Sequence, residues 1–343
     1  MNGVTVAISG KLAGNGPEYA LAQQLALDPG ENVIEIVAYN ASNLLASLPG
    51  RTTITFSGSA DTQKPKLHIL AIGINAYVDE GWTERGRIRP GFPPLNLAVK
   101  DAESFASELK RAAGTLYEVM RPTLVLDKDA TRENIDREIA RIAKDISPRD
   151  TFILFAAAHG TSENGRFYLI PQDYQGGPGA LQQRAISQDQ VQDWLANRIK
   201  ARKALILLDT CESGAVVAGH LRSRIEEAAS EAGVGRLHEA TGRPVLTAAA
   251  LGQFAREGLI TASGERQGFF THALLNALQN GDTNSNGTIE LSELVAYVQD
   301  AVPRLAVQNG GTGRVETATP RRQGQTARFG SRGEDFVIAN RLP

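Results

Sequence analysis

Residues 201–214 read A-R-K-A-L-I-L-L-D-T-C-E-S-G. A basic turn leads into the apolar run 204–208, short enough for a buried strand. The run stops at Asp209, and two residues later stands Cys211, the only cysteine of the 343-residue chain. In an open parallel α/β sheet, ligands bind at the carboxyl ends of strands, and this run delivers a thiol to such an end. Residues 151–158, T-F-I-L-F-A-A-A, have the same design and end in His159-Gly160. An imidazole and a thiol placed just after two buried strands meet if the strands are neighbours, as a nucleophile with its proton acceptor. Taken singly, a lone Cys reads as a small buried hydrophobe and a lone His as a satisfied structural residue. Two reactive types at two matching strand ends make coincidence the poorer account.

Composition is ordinary for a soluble domain protein, with 42% apolar and 22% charged residues. A net charge of −2 gives no electrostatic case for nucleic acid or an anionic membrane as a partner. No apolar run approaches the roughly 20 residues that span a bilayer, and Met1 opens no basic-then-apolar leader. A single cysteine cannot form an internal disulfide, which fits a reducing compartment, so a cytoplasmic location is expected. Rival chemistries find no support: there is no G-x-S-x-G elbow and no G-x-x-x-x-G-K-[ST] loop. The glycine-rich stretch 310–313 follows a helical pattern and reads as a loop. One Cys and five scattered His form no zinc cluster, and no organic cofactor is expected.

Residues 4–8, 20–26, 32–38 and 52–56 are short strand-like runs separated by turn signals at 14–16, 28–30 and 49–50. In E-N-V-I-E-I-V-A-Y-N (31–40), Ile34, Ile36 and Ala38 form one face while Glu35 interrupts the other, so the first face is expected to meet a core. Four strands are fewer than the seven or so of an immunoglobulin-like sandwich. Residues 1–60 are therefore read as a partial β-sandwich of that type, and the chain is expected to continue N-terminally into a larger multidomain protein. The small, polar stretch around 61–65 reads as a linker, and 66–343 as one α/β domain.

Within that domain the expected strands are 67–74, 123–126, 151–158, 204–208, 245–250 and 335–339, with a hairpin or edge at 166–170. Expected helices begin near Leu95, after the N-cap Thr131, after the N-cap Ser187 and at Phe269. Ile135, Ile139, Ile142 and Ile146 recur at helical spacing in the second. Strands alternating with helices predict a mostly parallel sheet covered on both faces. The charged, alanine-rich segment 221–242 reads as an insertion.

His159 stands 52 residues before Cys211, and caspases place their His about 50 residues upstream of the Cys. With H-G at 159–160, D-T-C-E-S-G at 209–214 and L-N-L-A-V-K-D-A at 95–102, the chain from about residue 66 resembles the caspase-like cysteine peptidases. The caspase signature Q-A-C-x-G is absent. D-T-C-E-S-G is similar instead to the D-x-C-x-S-G of metacaspases and bacterial orthocaspases. The resemblance implies a caspase-like α/β/α sandwich around a six-stranded, mostly parallel sheet whose last strand is antiparallel, and a cysteine endopeptidase activity.

In such a site His159 raises the thiolate fraction of Cys211 or takes its proton during attack, then protonates the leaving amine. The backbone N–H groups of Cys211 and Gly160 are the candidate oxyanion donors, a role the resemblance supports, and a glycine at 160 lets substrate approach closely. No third group orienting His159 is evident in the sequence. His68, His220, His238 and His272 read as structural or surface residues. The side chain two residues before a strand-end nucleophile points to the same side of the chain, and that residue is Asp209. In metacaspases the matching aspartate lies in the S1 pocket and selects Arg or Lys at P1; Asp101 matches a second pocket acid. The bland alternatives are a turn cap for Asp209 and a solvent-facing helix acid for Asp101. The implied partner is a protein or peptide substrate with a basic P1 residue.

A further motif stands apart. Residues 282–293, D-T-N-S-N-G-T-I-E-L-S-E, match the EF-hand calcium loop. Asp282, Asn284 and Asn286 hold positions 1, 3 and 5, Gly287 the sharp turn, and Thr288 offers its carbonyl at 7. Glu290 stands at 9 and Glu293 is the bidentate ligand at 12. Ca²⁺ is the expected cofactor, with modest affinity because two Asn replace Asp; a loop that keeps the turn without metal is the alternative. The leading reading is thus a cysteine endopeptidase, calcium-dependent or calcium-stabilised, that cuts its own segment 221–244 after Arg236, Arg224 or Arg222. The alternative from another class is a catalytically inactive, caspase-like, calcium-binding interaction module.

Overall fold

The computed structural model describes residues 22, 25, 27, 29–38, 47–58, 63–84, 86–163, 166–212, 243–248, 257–259, 266–308, 325–330 and 335–343; residues 87, 211, 212 and 257–259 enter through their backbone alone. In chain order, β1 (Gly30–Ile36) and β2 (Gly50–Phe56) precede β3 (Lys66–Gly73), β4 (Trp82–Glu84), β5 (Arg87–Arg89) and α1 (Ala98–Ala113). Next come β6 (Glu118–Val119), β7 (Thr123–Leu126), α2 (Arg132–Asp145), β8 (Thr151–Glu163) and β9 (Arg166–Leu169). Then follow α3 (Ala180–Arg184), β10 (Ile186–Ser187), α4 (Gln188–Asp193), β11 (Lys203–Glu212), β12 (Val245–Thr247), β13 (Glu257–Leu259) and β14 (Arg266–Gly268). The last elements are α5 (Phe269–Asn280), β15 (Thr288–Glu290), α6 (Leu291–Gln308), β16 (Arg328–Gly330) and β17 (Val337–Asn340).

The main sheet runs β7-β3-β8-β11-β12-β16; the first five strands are parallel and β16 is antiparallel to β12. β8 outruns β3, and its free length pairs antiparallel with β9, which in turn pairs with β10. The uninterrupted apolar runs of β8 and β11 are what burial on both faces demands. On one face Ile153, Phe155, Leu205 and Leu207 pack with Phe105 of α1, Leu274 of α5 and Val298 of α6. Phe105 stacks on Phe155 with ring centroids 4.8 Å apart. On the other face Leu70, Phe152 and Leu154 pack with Ile135, Ile139 and Ile142 of α2 and with Trp194. The result is a three-layer α/β/α sandwich, the predicted class. Among the described residues no helix is long and apolar enough to cross a membrane.

The predicted caps form: Thr131 Oγ1 accepts from the Asn134 N–H and Ser187 Oγ from the Gln190 N–H, both at 3.2 Å, each cap contributing on the order of 1 kcal/mol. Two expectations fail. The sixth strand is Arg328–Gly330, not 335–339; Val337–Asn340 pairs instead with Thr288–Glu290 in a separate ribbon. R-F-G has no alternation of its own, so its place depends on the edge that β12 offers. In the N-terminal ribbon β1–β2, Ile36 is 62% exposed, so the face of Ile34, Ile36 and Ala38 is no core face. Asn32 is the buried residue among those described there, donating to the Gly30 carbonyl at 3.1 Å. The runs expected at 4–8 and 20–26, and the arginines Arg222, Arg224 and Arg236, lie outside the described residues.

Candidate active site

The spatial order of the parallel strands reverses between β3 and β8, and ligands of open α/β sheets bind beyond the carboxyl ends at such a point. β8 and β11 pair in parallel from Lys203↔Thr151 to Glu212↔Gly160, which makes Cys211 and His159 register partners and sets Asp209 opposite Ala157. Adjacent strands run about 4.8 Å apart. The two residues singled out by their strand ends are therefore brought together by the backbone.

His159 is 3% exposed, and its surroundings come from the loop that follows β3. Nε2 lies 2.7 Å from the Pro93 carbonyl oxygen. A carbonyl only accepts, so Nε2 carries the hydrogen, and in the neutral ring Nδ1 holds the lone pair that can take a proton. The Tyr77 and Phe92 rings lie 4.9 Å and 5.3 Å from the imidazole. Asp79 pins this loop: Oδ2 accepts from the Phe92 N–H at 3.3 Å, and Oδ1 from the Gly176 and Gly81 N–H groups at 2.9 Å and 3.2 Å. Gly91 is obligatory here, because a Cβ would lie 1.8 Å from the Asp79 carbonyl oxygen. Gly160 has an internal explanation: a Cβ would meet Phe167 Cε2 at 2.9 Å and Thr210 Cβ at 3.2 Å, so sheet packing alone requires the glycine.

The two candidate pocket acids converge. Asp101, in the first turn of α1, is 3% exposed, not solvent-facing, and its carboxylate accepts from the Gly268 N–H at 3.2 Å. Asp209 Oδ2 accepts from Thr271 Oγ1 at 3.0 Å. A Cβ on Gly268 would lie 2.5 Å from Asp101 Oδ2 and 3.1 Å from Asp209 Oδ2, so both carboxylates border one small space at the start of α5. Pro93, Tyr77, Phe92, Gly268 and Thr271 were not singled out by sequence reasoning. Their contacts span 62 to 167 positions of chain and leave no local pattern.

The loop between α5 and α6 folds around its own acids. Asp282 accepts from the Asn286 and Gly287 N–H groups at 3.1 Å and 3.0 Å, and Gly287 sits at φ +84°. Glu293 accepts from the Thr283 N–H at 2.9 Å and the Glu290 N–H at 3.2 Å. Burial works to raise the Glu293 carboxyl, but hydrogen bonding from Glu290 and Thr283 outweighs it and holds the group down at about 2. Among the described residues no group of three His, Cys, Asp or Glu is placed to hold a metal. A cation here would draw on amide and backbone oxygens as well, an all-oxygen set suited to a hard ion such as Ca²⁺.

A polar cleft of about 830 Å³ opens elsewhere, lined by Arg132, Asp136, Asp173, Arg184, Gln190 and Arg198 among others. It lies by α2 and α4, and its groups are matched internally: Arg198 bonds Asp136 at 3.1 Å and Arg132 bonds Gln190 at 3.2 Å. Its lining hydroxyl, Ser187 Oγ, is engaged as the α4 cap, and no cysteine or histidine lines it, so the strand-end site is the better candidate.

No protein-family profile matches the chain, and no curated protein matches it. Among solved structures it is similar to a protein of Geobacter sulfurreducens, with 20% identity and a TM-score of 0.46 over 81% of this chain and 98% of that one. It is also similar to the Drosophila initiator caspase Dronc, with 12% identity and a TM-score of 0.41 over 80% of this chain and 82% of that one. A third likeness is to pro-sf-caspase-1, with 12% identity and a TM-score of 0.45 over 80% and 90% of the respective chains. These are likenesses of chain trace.

Proposed function

We propose that this chain is a caspase-like cysteine endopeptidase of the metacaspase type that cleaves after Arg or Lys. The observation that carries the reading is the register pairing of Cys211 with His159 at the carboxyl end of the parallel β8–β11 ladder. In the proposed reaction Nδ1 of His159 takes the thiol proton as the sulfur attacks the scissile carbonyl. The N–H groups of Cys211 and Gly160 are the proposed donors to the oxyanion. The imidazolium then protonates the leaving amine, and water, deprotonated by the same imidazole, hydrolyses the thioester. The convergence of Asp101 and Asp209 supports a cationic P1 side chain, since an anionic side chain beside the two carboxylates would be repelled.

The test is a fluorogenic Arg peptide with wild type, Cys211→Ala and His159→Ala. Wild-type turnover lost in both variants is expected; a wild type without turnover favours the inactive interaction module. Calcium binding at 282–293 is part of the proposal, supported by the all-oxygen donor set, and its role is taken as structural. Self-cleavage after Arg236, Arg224 or Arg222 is proposed as well. Arg243 is no candidate, because the residue is 1% exposed and its guanidinium donates to the Arg202 and Leu195 carbonyls. Mass spectrometry of incubated wild type against Cys211→Ala decides it: an intact wild type that still cleaves the peptide removes self-processing.

A further inference from the structure

One rung on the β3 side of β8 is supplied by a side chain. Ile74 donates to the Ala157 carbonyl at 3.1 Å, and Ile170 donates to the His159 carbonyl at 2.9 Å. Between them, where β3 has ended and β9 has not yet arrived, the His159 N–H reaches the Tyr77 hydroxyl at 2.8 Å. A buried N–H needs an acceptor, and here a phenol oxygen stands where a strand carbonyl would.

The turn that presents Tyr77 is itself held. Asp127 Oδ1 accepts from the Asn75 and Ala76 N–H groups at 2.7 Å and 3.0 Å, and Asn75 Oδ1 accepts from the Val99 N–H at 3.3 Å. Asp127 takes φ +40°, a conformation that residues other than glycine seldom adopt. The ring of Tyr77 then lies against the imidazole, whose other neighbour is Phe92. One residue thus fixes the histidine's backbone through its hydroxyl and packs its ring, tilted by 45°, against the imidazole.

We infer that Tyr77 is the positioning residue of His159, holding the imidazole on the line to the Pro93 carbonyl so that one tautomer prevails. This rests on the reading of His159 as the proton carrier of the proposed peptidase. Tyr77→Phe keeps the ring and removes the acceptor. With an Arg peptide, kcat is expected to fall on the order of tenfold to a hundredfold while KM changes by no more than about twofold. The limb of the pH–rate profile that reports the imidazole is expected to shift, and the melting temperature to fall by only about a few degrees, the cost of leaving one buried N–H without its acceptor.

Nitrogen NMR of histidine-labelled protein separates this inference from the reading beneath it. Wild-type His159 is expected as the single Nε2–H tautomer, and Tyr77→Phe as a mixture. An unchanged His159 spectrum in Tyr77→Phe overturns the inference, whatever the activity. So does a loss of turnover that only tracks a loss of folded protein, because Tyr77 is then part of the scaffold alone. A wild type that cleaves no Arg peptide defeats the endopeptidase reading, and the tautomer spectra still decide the role of Tyr77.

Discussion

Gly268 is where the proposed acidic pocket is most open to a single change. Gly268→Ala puts a methyl 2.5 Å from Asp101 Oδ2 and 3.1 Å from Asp209 Oδ2, so it both fills the space between the acids and forces one of them aside. KM for an Arg peptide is expected to rise on the order of tenfold or more, with kcat less affected, as loss of ground-state and transition-state binding together requires. Steady-state kinetics with unchanged KM would show that the P1 side chain does not enter here. Asp209→Ala removes a charge and leaves Thr271 without its acceptor. Its expected signature is a loss of roughly a hundredfold in kcat/KM for Arg peptides, far more than its effect on folding. Preferential cleavage after Asp by the wild type would sink the acidic-pocket reading outright.

At the scale of elements, the 282–293 loop joins α5 to α6, and the β15–β17 ribbon ties it to the chain's last strand. A ligand that binds only the folded state stabilises it, by about 2.7 kcal/mol at a hundred times its dissociation constant. Millimolar Ca²⁺ is therefore expected to raise the melting temperature, and Glu293→Gln to abolish that rise. A wild type whose melting temperature is the same in Ca²⁺ and in chelator would refute metal binding. Because α5 begins directly after Gly268, beside the two acids, the same titration followed by Arg-peptide turnover reads whether the loop communicates with the pocket.

Across the whole molecule, His68 couples stability to pH from the far end of the sheet. It sits on β3, buried, and burial lowers its pKa below 6.5; Asp150 and Asp145 pull upward less strongly, and Lys66 and Arg141 add to the lowering. The unfolded chain binds the His68 proton from pH 6.5 downward while the folded chain still resists it. Stability is thus expected to be flat above that pH and to fall as pH drops below it, until the folded-state pKa is reached. His272, also lowered by burial, adds in the same direction. His68→Gln is expected to flatten part of this slope in denaturant titrations carried from neutral pH down through the acid side of the histidine reference value. An identical slope in variant and wild type would remove His68 from the account.

What the sequence determined by itself is what the covalent chain and burial decide locally. The unbroken apolar runs of β8 and β11, the caps Thr131 and Ser187, the isoleucine stripe of α2 and the alternation of strand with helix all follow from period and polarity over a few residues. Tertiary structure decided whatever depends on partners remote in the chain. Pro93 meets His159 across 66 positions, Asp101 meets Gly268 across 167, and Arg328–Gly330 rather than 335–339 closes the sheet. Such contacts depend on which strand edges and loop ends the packed layers leave adjacent, a property of the assembled sheet that no local periodicity encodes.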